Sequence, residues 1–395
     1  MIPAVLPVYN RTDFGVVRGE GVYLHTNDGR TMLDFASGIA VNSLGHCHPH
    51  LVAELKKQAE ILWHVSNLYQ IPGQQKLAER MVATSCADTV FFCNSGAEAM
   101  ETALKMTRKY FDHIGQPDRY RVITMKGGFH GRTIAAISAA GKPGLIDGFA
   151  PLLDGFDHAE LNNLASVKAL IGPQTAAIAL EPIQGEGGIR EASKEFMQGL
   201  AALCKEHGLL LLADEVQCGV GRTGRMYAYE WAGVEPDIIA VAKGIGGGFP
   251  LGACLAKEYV AAAMNPGSHG GTYGGNPLAM AVGNAVMDVI TAPGFLEQVA
   301  EMGEYLGKKL EEVKQAYPAL VDEVRGRGLM RGLRLHVDSA AFVKELRNAG
   351  LLTVGAADQT IRIVPPLIVE KSHIDEAVDK ITQCCKKIAA ASPAA

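Results

Sequence analysis

Short apolar runs alternating with helical stretches predict an α/β fold, in which a mainly parallel sheet is covered on both faces and a smaller α+β domain lies beside it. Two observations carry this expectation. Strand-like runs recur between Thr89 and Ala256 with helical segments between several of them, whereas the two ends of the chain change to a meander and to long helices with alternating strands. At 395 residues the chain is also longer than one compact core usually supports. The expected division is an N-terminal segment, 1–45, packing with the small domain, then a large domain, 46–280, and a C-terminal small domain, 281–395.

The elements follow in order. Gly15–His25 and Thr26–Phe35 alternate apolar and polar positions around an Asn-Asp-Gly turn, which predicts a small antiparallel meander. His50–Trp63, Gln74–Thr84 and Ala97–Phe111 carry helical periodicity, with strand-like Thr89–Cys93 between the last two. Short strands are expected at Arg121–Met125, Ala176–Leu180, Leu209–Ala213, Ile238–Ala242 and Gly252–Ala256. After Pro277 a long helical region runs past Gly307. Strands Leu320–Arg325, Gly332–His336 and Thr360–Pro365 then precede a terminal helix from His373, and 389–395 reads as a frayed tail.

Composition narrows the function classes. A net charge of −5 supplies no basic surplus to replace counterions, so nucleic-acid binding is not expected. There is no run of eighteen apolar residues and no basic, apolar leader at the N-terminus, so neither a membrane span nor a secretory signal is expected. The eight scattered cysteines fit reduced thiols in a cytoplasmic protein better than a disulfide framework.

The chemistry gathers at strand ends. Lys243 closes the run Asp237-Ile-Ile-Ala-Val-Ala-Lys243 and opens a glycine-rich turn, while Asp214 closes Leu209-Leu-Leu-Leu-Ala-Asp214. A lysine can hold an aldehyde cofactor as a Schiff base and an aspartate can keep a pyridine nitrogen protonated, a pairing that points to pyridoxal phosphate. Asn94-Ser-Gly-Ala-Glu98 joins a strand to a helix, where Ser95 caps and free amides could hold an anion; an ordinary cap is the better explanation of this motif alone. In Gly127-Gly-Phe-His-Gly-Arg-Thr133, Phe129 could stack on a planar ring and Arg132 could grip a carboxylate. Glu186, between glycines in Glu181-Pro-Ile-Gln-Gly-Glu-Gly-Gly188, is either a site carboxylate or a solvated loop acid, and Glu215 reads as a solvent-facing loop acid. Three patterns are discounted. Gly219-Val-Gly-Arg-Thr-Gly224 matches a dinucleotide fingerprint by letter but lacks a following phosphate-binding helix. His46-Cys-His-Pro-His50 is too crowded for a structural metal site, so no metal is expected. Cys384-Cys385 reads as packing.

Together these segments, with Asn42-Ser-Leu-Gly-His-Cys-His-Pro49, Gly271-Thr-Tyr-Gly-Gly-Asn-Pro277 and Ile361-Arg-Ile-Val-Pro-Pro-Leu367, resemble the class III aminotransferases of the fold-type I pyridoxal phosphate enzymes along nearly the whole chain. The resemblance implies a large domain with a seven-stranded sheet and transfer of an ω-amino group to 2-oxoglutarate by a ping-pong Schiff-base mechanism. Lys243 would carry the cofactor, and Asp214 would pair with its ring nitrogen. Ser95, Gly96 and Ala97 would hold its phosphate, and Phe129 and Val216 would flank the ring with Gln217 near the ring oxygen. Thr272 would reach the phosphate in a neighbouring subunit, implying a homodimer with active sites at the interface. Arg132 would bind the carboxylate far from the reacting carbon. Glu186 would pair with Arg362 while the donor is bound, then release it for the carboxylate beside the reacting carbon of 2-oxoglutarate. Acetylornithine, succinylornithine, ornithine, succinyl-diaminopimelate and 4-aminobutyrate stay open as donors. A decarboxylase or aminomutase would share Lys243 and Asp214 but would not need both arginines.

Overall fold

A computed structural model describes residues 2–391. Its centre is a seven-stranded sheet. The strands that build it are β4 (Thr89–Cys93), β5 (Arg121–Met125), β6 (Phe156–Ala159), β7 (Thr175–Leu180), β10 (Leu210–Asp214), β11 (Ile238–Val241) and β12 (Gly252–Ala256), in the order β4-β12-β11-β10-β7-β5-β6. The pairings from β11 through β6 are parallel, and β12 runs antiparallel to both β11 and β4. Every residue of β7, β10, β11 and β12 is buried. Continuous apolar runs such as Leu210-Leu-Leu-Ala213 suit this position, because helices cover both faces and neither face needs a polar alternation.

The N-terminal meander β1 (Val16–Glu20), β2 (Tyr23–Thr26) and β3 (Thr31–Asp34) forms as expected, and β15 (Leu351–Leu352) extends it by pairing parallel with β3. A second antiparallel sheet is built from β13 (Val321–Arg327), β14 (Met330–Leu335), β16 (Val354–Ala356) and β17 (Thr360–Ile363), in the order β13-β14-β17-β16. A two-stranded ribbon, β8 (Ile183–Gln184) with β9 (Arg190–Glu191), carries the glycine-rich loop that holds Glu186.

Three differences from the sequence reading have physical causes. The expected single helical region after Pro277 is two helices, Pro277–Ile290 and Phe295–Ala316, bent by 71°. Pro293 and Gly294 (φ +85°) break it. The edge strand β6 was not anticipated, since half of Phe-Asp-His-Ala is polar. The terminal helix spans Lys371–Ala391, so residues 389–391 of the expected frayed tail are helical, and 392–395 lie outside the described residues. Among the described residues, no single helix is long and apolar enough to cross a membrane.

Candidate active site

Asn94, Glu181, Asp214 and Lys243 all stand at or just beyond the carboxyl ends of strands that run in one direction, β4, β7, β10 and β11. This edge of an open α/β sheet is where ligands bind, because the backbone there leaves the sheet and its side chains converge on one crevice. A cavity of about 420 Å³ sits at that edge. Of the sequence-predicted residues, Ser95, Gly96, Ala97, Phe129, Arg132, Asp214, Val216, Gln217 and Lys243 line it.

Local rules explain the placement. The helix Gly96–His113 is capped reciprocally: Ser95 Oγ accepts from the Glu98 amide at 3.3 Å, while Glu98 accepts from the Asn94 amide at 2.8 Å. Such a cap contributes about 1 kcal/mol and leaves the Gly96 and Ala97 amides pointing out of the helix end toward an anion. Gly96 is required there, because a Cβ would approach Val216 Cγ1 to 2.6 Å. Lys243 adopts φ +49°, in the left-handed region that costs a side-chain-bearing residue of order 1 kcal/mol. The turn is held by Ser43, whose hydroxyl donates to the Gly244 carbonyl at 2.7 Å.

Lys243 is buried, and burial together with the positive charge of Arg362 pulls its pKa from 10.5 down to about 8, against the nearby Glu181, Asp214 and Glu186. Asp214 is buried as well. Its Oδ1 accepts from the Val216 amide at 3.1 Å, and its Oδ2 lies 2.8 Å from His130 Nδ1, which must donate because a carboxylate can only accept. Burial opposes the proton on His130, but the hydrogen bond and charge of Asp214 outweigh burial and the net shift is upward. His130 Nε2 is buried and has no partner among the described residues. Glu181 accepts from the Phe129 and Gly185 amides at 2.8 and 3.0 Å, and burial, reinforced by Asp214, raises its pKa to about 7.

The two arginines are placed differently. Arg132 is exposed at the cavity wall, its guanidinium 5.6 Å from the Phe129 ring centre, and it makes no ion pair among the described residues. Arg362, on β17, is buried. It pairs with Glu186 Oε1 at 2.7 Å and donates to Gln217 Oε1 at 3.3 Å and to the Gly355 carbonyl at 3.1 Å. Gln217 thus connects Arg362 to the cavity wall. Thr272 lies outside this cavity, on an exposed loop fixed by Asn67, which donates to the carbonyls of Gly271 and Gly274 at 3.2 and 2.9 Å.

His130 and Glu181 lie inside the motifs Gly127–Thr133 and Glu181–Gly188, and nothing in those patterns assigns them a role. Glu215 is a correction. It is fully buried, not solvent-facing, and accepts from the Ala228 and Tyr229 amides at 2.9 and 2.8 Å and from the Cys218 thiol. Burial raises its pKa to about 7. The His46 tract is structural: His46 Nε2 meets Asp34 at the end of the N-terminal meander at 2.8 Å, and His50 meets Asp288 on the helix Pro277–Ile290 at 2.9 Å. Cys384 and Cys385 are buried in the terminal helix.

The cavity fits a phosphorylated pyridine aldehyde. It offers a buried amine of lowered pKa, a buried carboxylate with a proton-bearing histidine behind it, unpaired amides at a helix N-terminus, and a floor kept open by Gly96 and Gly131, where a Cβ would come within 2.9 Å of Ala97 Cβ.

A profile of the family described as aminotransferase class-III matches residues 7–385. The acetylornithine aminotransferase of Brucella melitensis is 52% identical over 385 residues, covering 98% of this chain and 96% of its own. Among solved structures, the N-acetylornithine aminotransferase of Stenotrophomonas maltophilia superposes with a TM-score of 0.85 at 35% identity, covering 97% and 98% of the two chains. The ornithine aminotransferase of Toxoplasma gondii superposes with a TM-score of 0.94 at 29% identity, covering 98% and 94%.

Proposed function

The chain belongs to the class-III aminotransferases, enzymes that depend on pyridoxal 5'-phosphate, and on that premise we propose that it moves the δ-amino group of N2-acetyl-L-ornithine to 2-oxoglutarate. The products are N-acetylglutamate 5-semialdehyde and glutamate, a step of arginine biosynthesis. The observation that carries the choice of donor is the 52% identity to an acetylornithine aminotransferase over nearly the full length of both chains. Fold likeness alone does not choose, since an ornithine aminotransferase superposes as well at 29% identity.

When bound, the cofactor supplies an aldehyde that takes up an amino group and a ring that withdraws electrons from the carbon bearing it. The chain's residues do the rest. Lys243 Nζ holds the cofactor between turnovers. Its free amine would be the base that takes a proton from the donor's δ-carbon; the lowered pKa keeps a useful fraction of neutral amine near neutral pH. Asp214, backed by His130, would hold the ring nitrogen's proton. Ser95 and the Gly96 and Ala97 amides would hold the phosphate, Phe129 and Val216 would flank the ring, and Gln217 would stand near the ring oxygen; all of them line the cavity.

Two carboxylate sites explain how one cavity serves two substrates. Arg132 takes the carboxylate far from the reacting carbon in both. In acetylornithine no carboxylate lies beside that carbon, so Arg362 stays paired with Glu186; 2-oxoglutarate brings one, and Glu186 gives way. This alternation suits a ping-pong transfer and separates the enzyme from a decarboxylase or aminomutase.

The active unit in this reading is a homodimer, in which Thr272 reaches the phosphate held by a second copy. Its support is the exposure of Thr272 beside unusually bare apolar side chains: Leu68 is 86% exposed, and Trp63, Tyr69 and Tyr273 are also open. The two four-stranded sheets and the described parts of 1–45 and 281–395 form a small domain beside the 46–280 large domain, supported by the β3–β15 pairing and the Tyr23–Glu376 hydrogen bond at 2.9 Å. Eight unpaired cysteines suit a reducing cytoplasm. Specificity constants for acetylornithine, succinylornithine, ornithine, succinyl-diaminopimelate and 4-aminobutyrate test the donor. Acetylornithine should lead, and a clear win for free ornithine or 4-aminobutyrate overturns the assignment while leaving the class intact.

A further inference from the structure

The Gly219–Gly224 segment, which matches a dinucleotide fingerprint by letter, opens no phosphate-binding helix; it runs through turns to a 3-10 helix at Ala228–Trp231. Its residues instead touch the two halves of the site. Val220, in the left-handed region at φ +55°, packs against Gly244 in the turn that carries Lys243, where a Cβ would lie 3.4 Å from Val220 Cβ. Arg222, two residues on, faces the other way, into the sheet that carries Arg362.

Arg222 is 2% exposed and has no acidic partner among the described residues. Its Nη1 donates to the Leu329 carbonyl at 3.2 Å and to the Pro365 carbonyl, and its own carbonyl accepts from the Leu329 amide at 3.1 Å. Leu329 leads directly into β14, and Pro365 follows β17 after Val364. Those two strands pair with Gly332 opposite Arg362. One guanidinium therefore ties the entry of one strand to the exit of the other, at the end of the ladder that lies beyond the Arg331–Ile363 pair, next to the register position that presents Arg362. Gly328 tightens the same seam, since a Cβ there would fall 2.6 Å from the Thr223 backbone.

We propose that Arg222 is a positioning residue that indexes Arg362 to the Lys243 turn and so sets how tightly the acceptor's reacting-end carboxylate is held. A buried cation without a counterion is costly, and an apolar side chain would fill the seam with less desolvation. Burial alone lowers its pKa to about 9, so it still enters the seam charged at neutral pH. Its Nη1 reaches two carbonyls that flank different strands, which no apolar residue can do.

The proposal rests on the reading of Arg362 as the acceptor-carboxylate site, and the experiment separates the two. Maleate, a dicarboxylate that cannot react, is titrated into holoenzyme carrying Arg222→Met, Arg222→Lys or Arg362→Ala, and the single-turnover reaction with N2-acetylornithine is measured on the same proteins. Arg222→Met should weaken maleate roughly tenfold, the loss of about one charged hydrogen bond's positioning effect, with Arg222→Lys intermediate. The acetylornithine half-reaction should stay within about twofold of wild type, because Arg362 is not used there. Unchanged maleate affinity in a folded variant, or parallel loss in both assays, would mean that Arg222 serves stability alone. If Arg222→Met does not fold, Arg222→Lys decides by the same criteria. If Arg362→Ala leaves maleate affinity intact, the acceptor-site reading fails, and the Arg222 proposal falls with it.

Discussion

Arg132 and Arg362 belong to one site yet stand in opposite electrostatic states. Arg132 is exposed, stacked near Phe129 and free of any ion pair among the described residues, whereas Arg362 is 1% exposed and held by Glu186 at 2.7 Å. A free guanidinium is ready for any carboxylate. A buried, neutralised one responds only to a ligand that displaces its partner, so the second substrate must compete with an internal carboxylate. The difference shows how a single cavity can hold a donor with one carboxylate and an acceptor with two. Selectivity lies less in the shape of the cavity than in which arginine is already occupied.

The largest effect should come from removing what both arginines serve. Lys243→Ala should lower turnover by on the order of a thousandfold or more in both half-reactions, and holoenzyme absorbance near the visible edge that borohydride abolishes should vanish. Unequal loss between the half-reactions would mean that the two substrates do not share this base.

The next comparison is between the arginines themselves. Arg362→Ala should raise the KM for 2-oxoglutarate roughly 10- to 150-fold, the equivalent of about 1.5–3 kcal/mol for a charged hydrogen bond, and leave the KM for acetylornithine nearly unchanged. Arg132→Ala should raise both KM values, by a smaller factor because solvent already screens it. Steady-state kinetics of both variants with both substrates would show the asymmetry or its absence.

A smaller effect concerns pH. Burial and then Arg362 lower the Lys243 pKa from 10.5 to about 8. Between those values the unfolded chain holds a proton that the folded chain has released, so in cofactor-free protein this lysine's contribution to stability improves as pH rises through that window. The same shift makes the neutral amine scarcer by about tenfold per pH unit below 8. Stopped-flow absorbance after adding pyridoxal phosphate to cofactor-free enzyme should show capture speeding up to about pH 8 and then levelling. A rate still climbing at pH 10 would place the amine at its ordinary value.

Much of the central sheet was legible in the sequence because buried parallel strands are continuous apolar runs bounded by turns. Thr89–Cys93, Arg121–Met125 and Gly252–Ala256 have the same limits in sequence and structure. Strand direction was not legible, since Gly-Ala-Cys-Leu-Ala reads the same whether β12 lies parallel or antiparallel to its neighbours. Glu215 was misread because the amides that justify its burial, on Ala228 and Tyr229, come from a later turn that no local pattern encodes. In the site, Lys243 and Asp214 stood out at strand ends. The Glu186–Arg362 pair did not follow from spacing, because 176 residues separate its members, and it came from likeness to a family. His130 was visible only as a neighbour of Phe129; its value lies in a contact with Asp214 across two strand ends.

The most direct test of the contrast is to take away the charge that keeps Arg362 occupied and time each half-reaction separately. Single-turnover absorbance on Glu186→Gln should show the reaction with acetylornithine slowed and the reaction of glutamate, which brings a carboxylate beside its reacting carbon, preserved or faster, shifting their ratio by roughly tenfold, about one charged hydrogen bond's worth. An unchanged ratio, whether both reactions fall together or neither moves, would contradict the account of Arg362 as an arginine held in reserve.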